Sequence, residues 1–155
     1  MHDQDPFRPH AHDPHMEPPS ADPLFTLIWP AGSVVLTPDN LKELPLTRID
    51  DCYVVSTGHG VSGPFSFGGV TLRELIDAYA NIYWVEVLIL SQDGFGTRLT
   101  FEEVRASPDR PIILAYEING VAMSREKGLV RLIVPSETDD ALRQVKWVGE
   151  IRLLV

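Results

Sequence analysis

The dipeptide Asn119-Gly120 does more than any other feature to limit how the stretch from Pro111 to Val155 can fold. Asn-Gly between apolar residues suits the two left-handed positions of a tight hairpin turn, so strands have to pair across it. Ile112 to Tyr116 is a β-branched and aliphatic run of strand length, and Leu129 to Val134 is another. In the closing run Val145, Trp147, Gly149, Ile151, Leu153 and Val155 share one face, with Lys146, Glu150 and Arg152 on the other. That is the period of a half-buried strand. On this reading Trp147 is a core anchor on its inner face, and Val155 is part of the fold.

Upstream, short elements alternate with turn residues. Leu24 to Trp29 reads as a strand stopped by Pro30-Ala31-Gly32, followed by a second strand over Ser33 to Thr37. Thr37 with Pro38 at the first helical position opens a short helix carrying Leu41 and Leu44. Thr47 to Ser56 is a strand that contains Cys52. Five glycines then fall between Gly58 and Gly69, a density expected of a loop and not of a regular element. Such a segment either brings backbone N–H groups close to an anion or serves as a hairpin-like connection. Thr71 and Glu74 have capping-box spacing ahead of Leu72, Leu75, Ile76 and Tyr79, and Thr100 with Glu103 repeats it. Between these helices, Trp84 to Ser91 and Thr97 to Leu99 form a hairpin around Asp93-Gly94. The fold class is α+β, with mixed, mostly antiparallel sheets and a few short helices. There is neither βαβ alternation nor a GxGxxG fingerprint.

Residues 24–155 make one domain, whereas residues 1–23, rich in Pro, His and Asp, have too little apolar surface to offset the entropy of ordering and read as a flexible tail. His10, His12 and His15 in that tail have spacing that suits a transition metal, and equally suits a solvated polar segment. A formal charge of −9 leaves no basic face for nucleic acid or anionic lipid. The longest apolar runs are of strand length, so no segment spans a bilayer. No basic region precedes an apolar stretch at the N-terminus, and the expected compartment is cytoplasmic. A single cysteine, Cys52, rules out an internal disulfide and any cysteine-based zinc cluster.

AYEINGVAM, GLVRLIVP and VKWVGEIRL, in this order, together with GGVTLRELI upstream, resemble the molybdopterin-binding oxidoreductase domain of the sulfite oxidase family over residues 33–155. FRPH at positions 7–10 is a faint echo of the Phe-x-Arg-Asn-His segment that precedes the domain in that family. The resemblance implies a sulfite-oxidase-type fold and a molybdopterin cofactor whose metal is held by one cysteine thiolate. That thiolate is due near Thr57 or Gly58, and Cys52 lies a few residues earlier, where it reads as a core residue and only weakly as a metal ligand. The resemblance places Thr57, Gly58, His59 and Gly60 against the cofactor, with His59 the candidate catalytic group because it titrates near working pH. Arg143 and Lys146 match the basic pair that meets the phosphate end of the pterin, although Glu137, Asp139 and Asp140 beside them are a departure. Arg131 matches a strand arginine and reads as a structural ion-pair partner. The family's run His-Gly-Gly-Pro-Leu-Arg is EKGLVR here, without the His and Pro. These departures point to a module that binds a pterin or another small anion at a degenerate redox site. The alternative is a molybdenum-dependent oxidoreductase acting on a sulfur oxyanion or sulfoxide, completed by Cys52 or by a partner subunit.

Overall fold

The computed structural model describes residues 23–56, 60–106, 109–124, 128–135 and 144–155. Two five-stranded sheets organise it. The first contains β1 (Phe25–Trp29), β2 (Gly32–Leu36), β5 (Glu86–Ser91), β6 (Gly96–Thr100) and β10 (Val148–Leu154) in the order β2-β1-β10-β5-β6. The pair β1/β10 is parallel and the others in this sheet are antiparallel. The second contains β3 (Thr47–Ser56), β4 (Gly60–Thr71), β7 (Ile113–Ile118) and β8 (Val121–Ala122) in that order, with β9 (Arg131–Ile133) also on β7, all antiparallel.

Three short helices join them: α1 (Pro38–Leu41), α2 (Leu72–Tyr79) and α3 (Phe101–Arg105). Each starts where side-chain chemistry satisfies the free backbone donors of its first turn. The Thr71 hydroxyl accepts from the Glu74 N–H at 3.0 Å, and that of Thr100 accepts from the Glu103 N–H at 3.1 Å. In α1, Asn40 Oδ1 accepts from the Thr37 N–H at 2.9 Å. Leu72, Leu75 and Ile76 give α2 its buried stripe. As the Asn119-Gly120 pair requires, both residues have positive φ, 51° and 81°, and β7 pairs with β8 across them.

One core cluster draws on both sheets and all three helices, from Phe25, Leu27 and Ile151 of the first sheet to Leu114 and Leu132 of the second. Alternation along β7 sends Leu114 and Tyr116 into it and turns Ile113 and Ala115 the other way. These last two join a second cluster on the opposite face of the second sheet, with Ile49, Cys52, Phe67, Met123 and Ile133.

Two expectations are corrected. The glycine-rich stretch is not a loop from Gly60 onward: it forms the twelve-residue strand β4, paired with both β3 and β7. Gly69 is what lets β4 approach β7, since a Cβ there would lie 1.9 Å from the Leu114 carbonyl oxygen. Gly69 thus serves strand packing, which neither the loop reading nor the hairpin-like reading anticipated. Trp147 is not an inner-face anchor either. It is half-buried, lies before β10 and has φ 49°. A register shift between Val148 and Glu150 changes the phase of the run, so Val148, Ile151 and Leu153 point inward and Val155 is 69 % exposed.

Candidate functional site

The segment 144–148 lies antiparallel beside residues 128–132. Val145 and Leu132 exchange N–H···O bonds of 3.3 and 2.8 Å, the Trp147 N–H donates to the Gly128 carbonyl at 3.0 Å, and the Val148 N–H donates to that of Val130 at 3.0 Å. This pairing brings two cationic stems together at Gly128. A Cβ on Gly128 would fall 2.8 Å from Arg131 Cγ and 3.4 Å from Lys146 Cβ, so only glycine fits between them. The backbone around them is unusual as well: Gly128, Leu129 and Trp147 all have positive φ, at 114°, 57° and 49°. For leucine and tryptophan this conformation costs energy, and such strain concentrates where a site is held in a fixed shape.

Arg131 is a buried cation, 8 % exposed, with its guanidinium 5.7 Å above the Phe67 ring. Burial lowers its pKa to about 10, so it still carries its charge at neutral pH. The Lys146 ammonium lies 4.5 Å over the Trp147 ring. A buried guanidinium suits an oxyanion, because its fork matches two oxygens and the low dielectric strengthens the contact, and a lysine whose stem meets that of the arginine at Gly128 adds a second cation to the same segment pair.

Cys52 faces Phe65 across the β3/β4 pair, between two register shifts, and follows Asp51, whose φ is 55°. Its thiol is 4 % exposed and packs in the second core cluster. Arg110 clamps this bend: its guanidinium donates to the Asp50 carbonyl at 2.9 Å, to that of Asp51 at 3.4 Å and to Cys52 Sγ at 3.7 Å. Burial pushes the Cys52 thiol pKa up, and the Arg110 charge offsets that rise only in part. A buried neutral thiol in mid-strand is a poor metal ligand, since ligation needs the thiolate. Among the described residues, no group of three or more His, Cys, Asp or Glu side chains could hold a metal.

Of the residues singled out in the sequence, Lys146 lies in this arrangement, and the backbone of Gly60 begins β4 opposite Ser56. Thr57, Gly58, His59 and Arg143 lie outside the described residues, as do Glu137, Asp139, Asp140 and the tail histidines His10, His12 and His15. By sequence Arg131 reads as a structural ion-pair partner, whereas its stem meets that of Lys146 at Gly128. The signal that could have found it is a lone charge inside the otherwise apolar run from Leu129 to Val134. Arg110 had no such signal, since its partners are backbone carbonyls some 60 residues away in sequence.

The model of the oxidoreductase molybdopterin binding domain matches residues 36–155. The chain belongs to this family. Among solved structures, the sulfane dehydrogenase SoxCD from Paracoccus pantotrophus is similar, with a TM-score of 0.68 and 21% sequence identity over 84% of this chain. At that identity the likeness shows the fold, and the match covers 38% of the SoxCD chain, so this domain corresponds to a part of it. By sequence, the chain matches no curated protein. The fold is the sulfite-oxidase-type one, and the described residues contain no helix long and apolar enough to cross a membrane.

Proposed function

We propose that this molybdopterin-binding-domain-like chain is a binding module for the anionic end of a pterin of the molybdopterin type. The observation that carries the reading is the meeting of Arg131 and Lys146 at Gly128, in a chain that belongs to this family. Arg131 would supply a buried guanidinium and Lys146 an ammonium for a phosphate group, and Arg143, three residues before Lys146 in the sequence, is a third cation. By the family resemblance Thr57, Gly58, His59 and Gly60 are assigned to the cofactor as well, with His59 as the titratable group among them. A bound cofactor would bring a metal able to exchange oxo groups in two-electron steps.

The phosphate end fits the residues present and the metal end does not, because the only cysteine of the chain is a buried thiol in mid-strand. The site is therefore a degenerate redox site, and no electron transfer is assigned to its side chains. Family membership and the guanidinium 3.7 Å from Cys52 Sγ favour a second reading. In it the chain is part of a molybdenum-dependent oxidoreductase for a sulfur oxyanion or sulfoxide, with Cys52 or a partner subunit completing the site.

Metal and pterin analysis of protein purified from a host that makes the cofactor tests both. Bound pterin without stoichiometric molybdenum, lost in the double variant Arg131→Met/Lys146→Gln, supports the module. Stoichiometric molybdenum that disappears in Cys52→Ser supports the enzyme. Absence of both pterin and molybdenum from the parent protein overturns the two readings together.

A further inference from the structure

A cleft of about 720 Å³ opens at the Thr47 end of β3, bordered by Leu44, Pro45 and the start of β3, one face of α2, the end of α3 and Asp109 with Pro111. It does not include the meeting point of Arg131 and Lys146, although Ile49 in its lining packs with Cys52. None of Gly128, Arg131 and Lys146 lines it, and the far end of β3, at Ser56, is roughly 25–30 Å away at ordinary strand rise. Its volume is that of a small-molecule pocket. Leu44, Ile49, Val104 and Pro111 give it an apolar lining, and three elements each contribute an arginine: Arg48 from β3, Arg73 from α2 and Arg105 from α3.

Glu74, Asp77 and Asp109 balance these charges in number, so how each group is already committed decides what the cleft can take. Glu74 is held at the N-terminus of its own helix, where its Oε1 accepts from the Thr71 hydroxyl at 2.8 Å. Asp77 reaches only the Nε of Arg73, at 4.0 Å, with both side chains 53 % exposed. An exposed pair of this kind is weak and leaves the outer guanidinium fork available. Arg105 stacks on the Phe101 ring at 4.9 Å, with no carboxylate in ion-pair range among the described residues. Arg48 gives one nitrogen to Glu117 at 3.1 Å. Arg73 and Arg105 thus keep guanidinium donors at the cleft, set above an apolar surface, and Asp77 and Asp109 keep carboxylate oxygens there as well. A monoanion suits it better than a phosphate, since a second negative charge would meet Asp77 and Asp109.

We propose that this cleft binds a small organic carboxylate with an apolar body, the carboxylate on Arg73 and Arg105 and the body against Leu44, Ile49, Val104 and Pro111. Titration calorimetry with hexanoate tests this, with the neutral hexanamide as control. The expected result is saturable binding of one hexanoate per chain, little heat from hexanamide, and affinity at least about tenfold weaker in Arg73→Gln/Arg105→Gln. The single variant Arg105→Gln, whose guanidinium stacks on one ring, gives a smaller loss at an unchanged melting temperature. Absence of saturation up to about 10 mM, or equal binding by the double variant or by hexanamide, overturns the proposal. Lys146→Gln leaves hexanoate binding as it was; if it abolishes that binding, the carboxylate sits in the other site and the cleft reading fails, whatever becomes of the pterin.

Discussion

The two sheets are built to different tolerances. In the first, β1/β2 and β5/β6 run in unbroken register, and its inner face contributes Phe25, Leu27, Ile89 and Ile151, all fully buried. Its one irregularity, between Val148 and Glu150, adjoins Lys146 and Trp147. In the second, register shifts interrupt β3/β4 on both sides of Cys52 and β4/β7 at Gly68, and the buried set includes a cysteine and an arginine. Uniform strands maximise packing and ladder bonding, whereas bulges re-aim side chains at some cost to the ladder. Deviations in both sheets gather around Arg131, Lys146 and Cys52, the residues that carry the candidate chemistry. The regular sheet provides the stability against which the irregular one can hold strained positions.

The largest expected effect falls on the first sheet. Phe25→Ala removes a fully buried ring from the cluster that unites both sheets, and is expected to cost about 3–5 kcal/mol in urea unfolding. A loss below about 1 kcal/mol would mean that the first sheet is not the stabilising one.

Trp147 gives a smaller and more discriminating effect. A side chain at the inner face of a regular strand would behave like Phe25, but Trp147 is half-buried at φ 49°. Trp147→Ala is expected to cost only about 1–2 kcal/mol. Trp147→Gly should cost less than Trp147→Ala, because glycine adopts the left-handed conformation freely. In an ordinary strand the order would be reversed. Thermal unfolding of the two variants side by side reads this directly, and a Gly variant less stable than the Ala variant would place the residue in a regular strand after all.

What the sequence disclosed and what it hid divide along the same line. Strand β3, the caps at Thr71 and Thr100, and the Asn119-Gly120 hairpin were legible because each follows from local rules: alternation, a cap residue three positions from its partner, a turn that requires positive φ. The order of family motifs made the fold legible as well. Trp147 was misplaced because a bulge one residue later changes the phase, and bulges leave no mark on hydrophobic alternation. The glycines of β4 were misread because composition cannot distinguish a glycine that bends the chain from one, such as Gly69, that admits a neighbouring strand. The meeting of Arg131 with Lys146 depends on long-range pairing that no local rule supplies.

The smallest expected effect concerns the thiol, and it tests whether the irregular sheet buries Cys52 as a neutral group. Burial raises the Cys52 pKa in the folded state, so the folded chain keeps its proton at a pH where the unfolded chain has lost it. The stability this contributes is complete below the unfolded value of about 8.5 and is lost as pH rises through the folded value. Tyr116, also raised by burial, acts above about 10, and Arg131, lowered to about 10, acts with the opposite sign, gaining stability as it deprotonates. The window from about pH 8 to 9.5 therefore isolates Cys52. There, unfolding free energy should fall with pH in the parent more steeply than in Cys52→Ala, by less than the about 1.4 kcal/mol per pH unit that one full proton would give. The variant starts from a lower stability because it leaves a small void, so the slope and not the intercept is the reading. Parallel slopes would show that the thiol titrates alike in both states. Arg110 would then hold Cys52 as a thiolate-competent group, and the second sheet would carry the ligand that the module reading denies it.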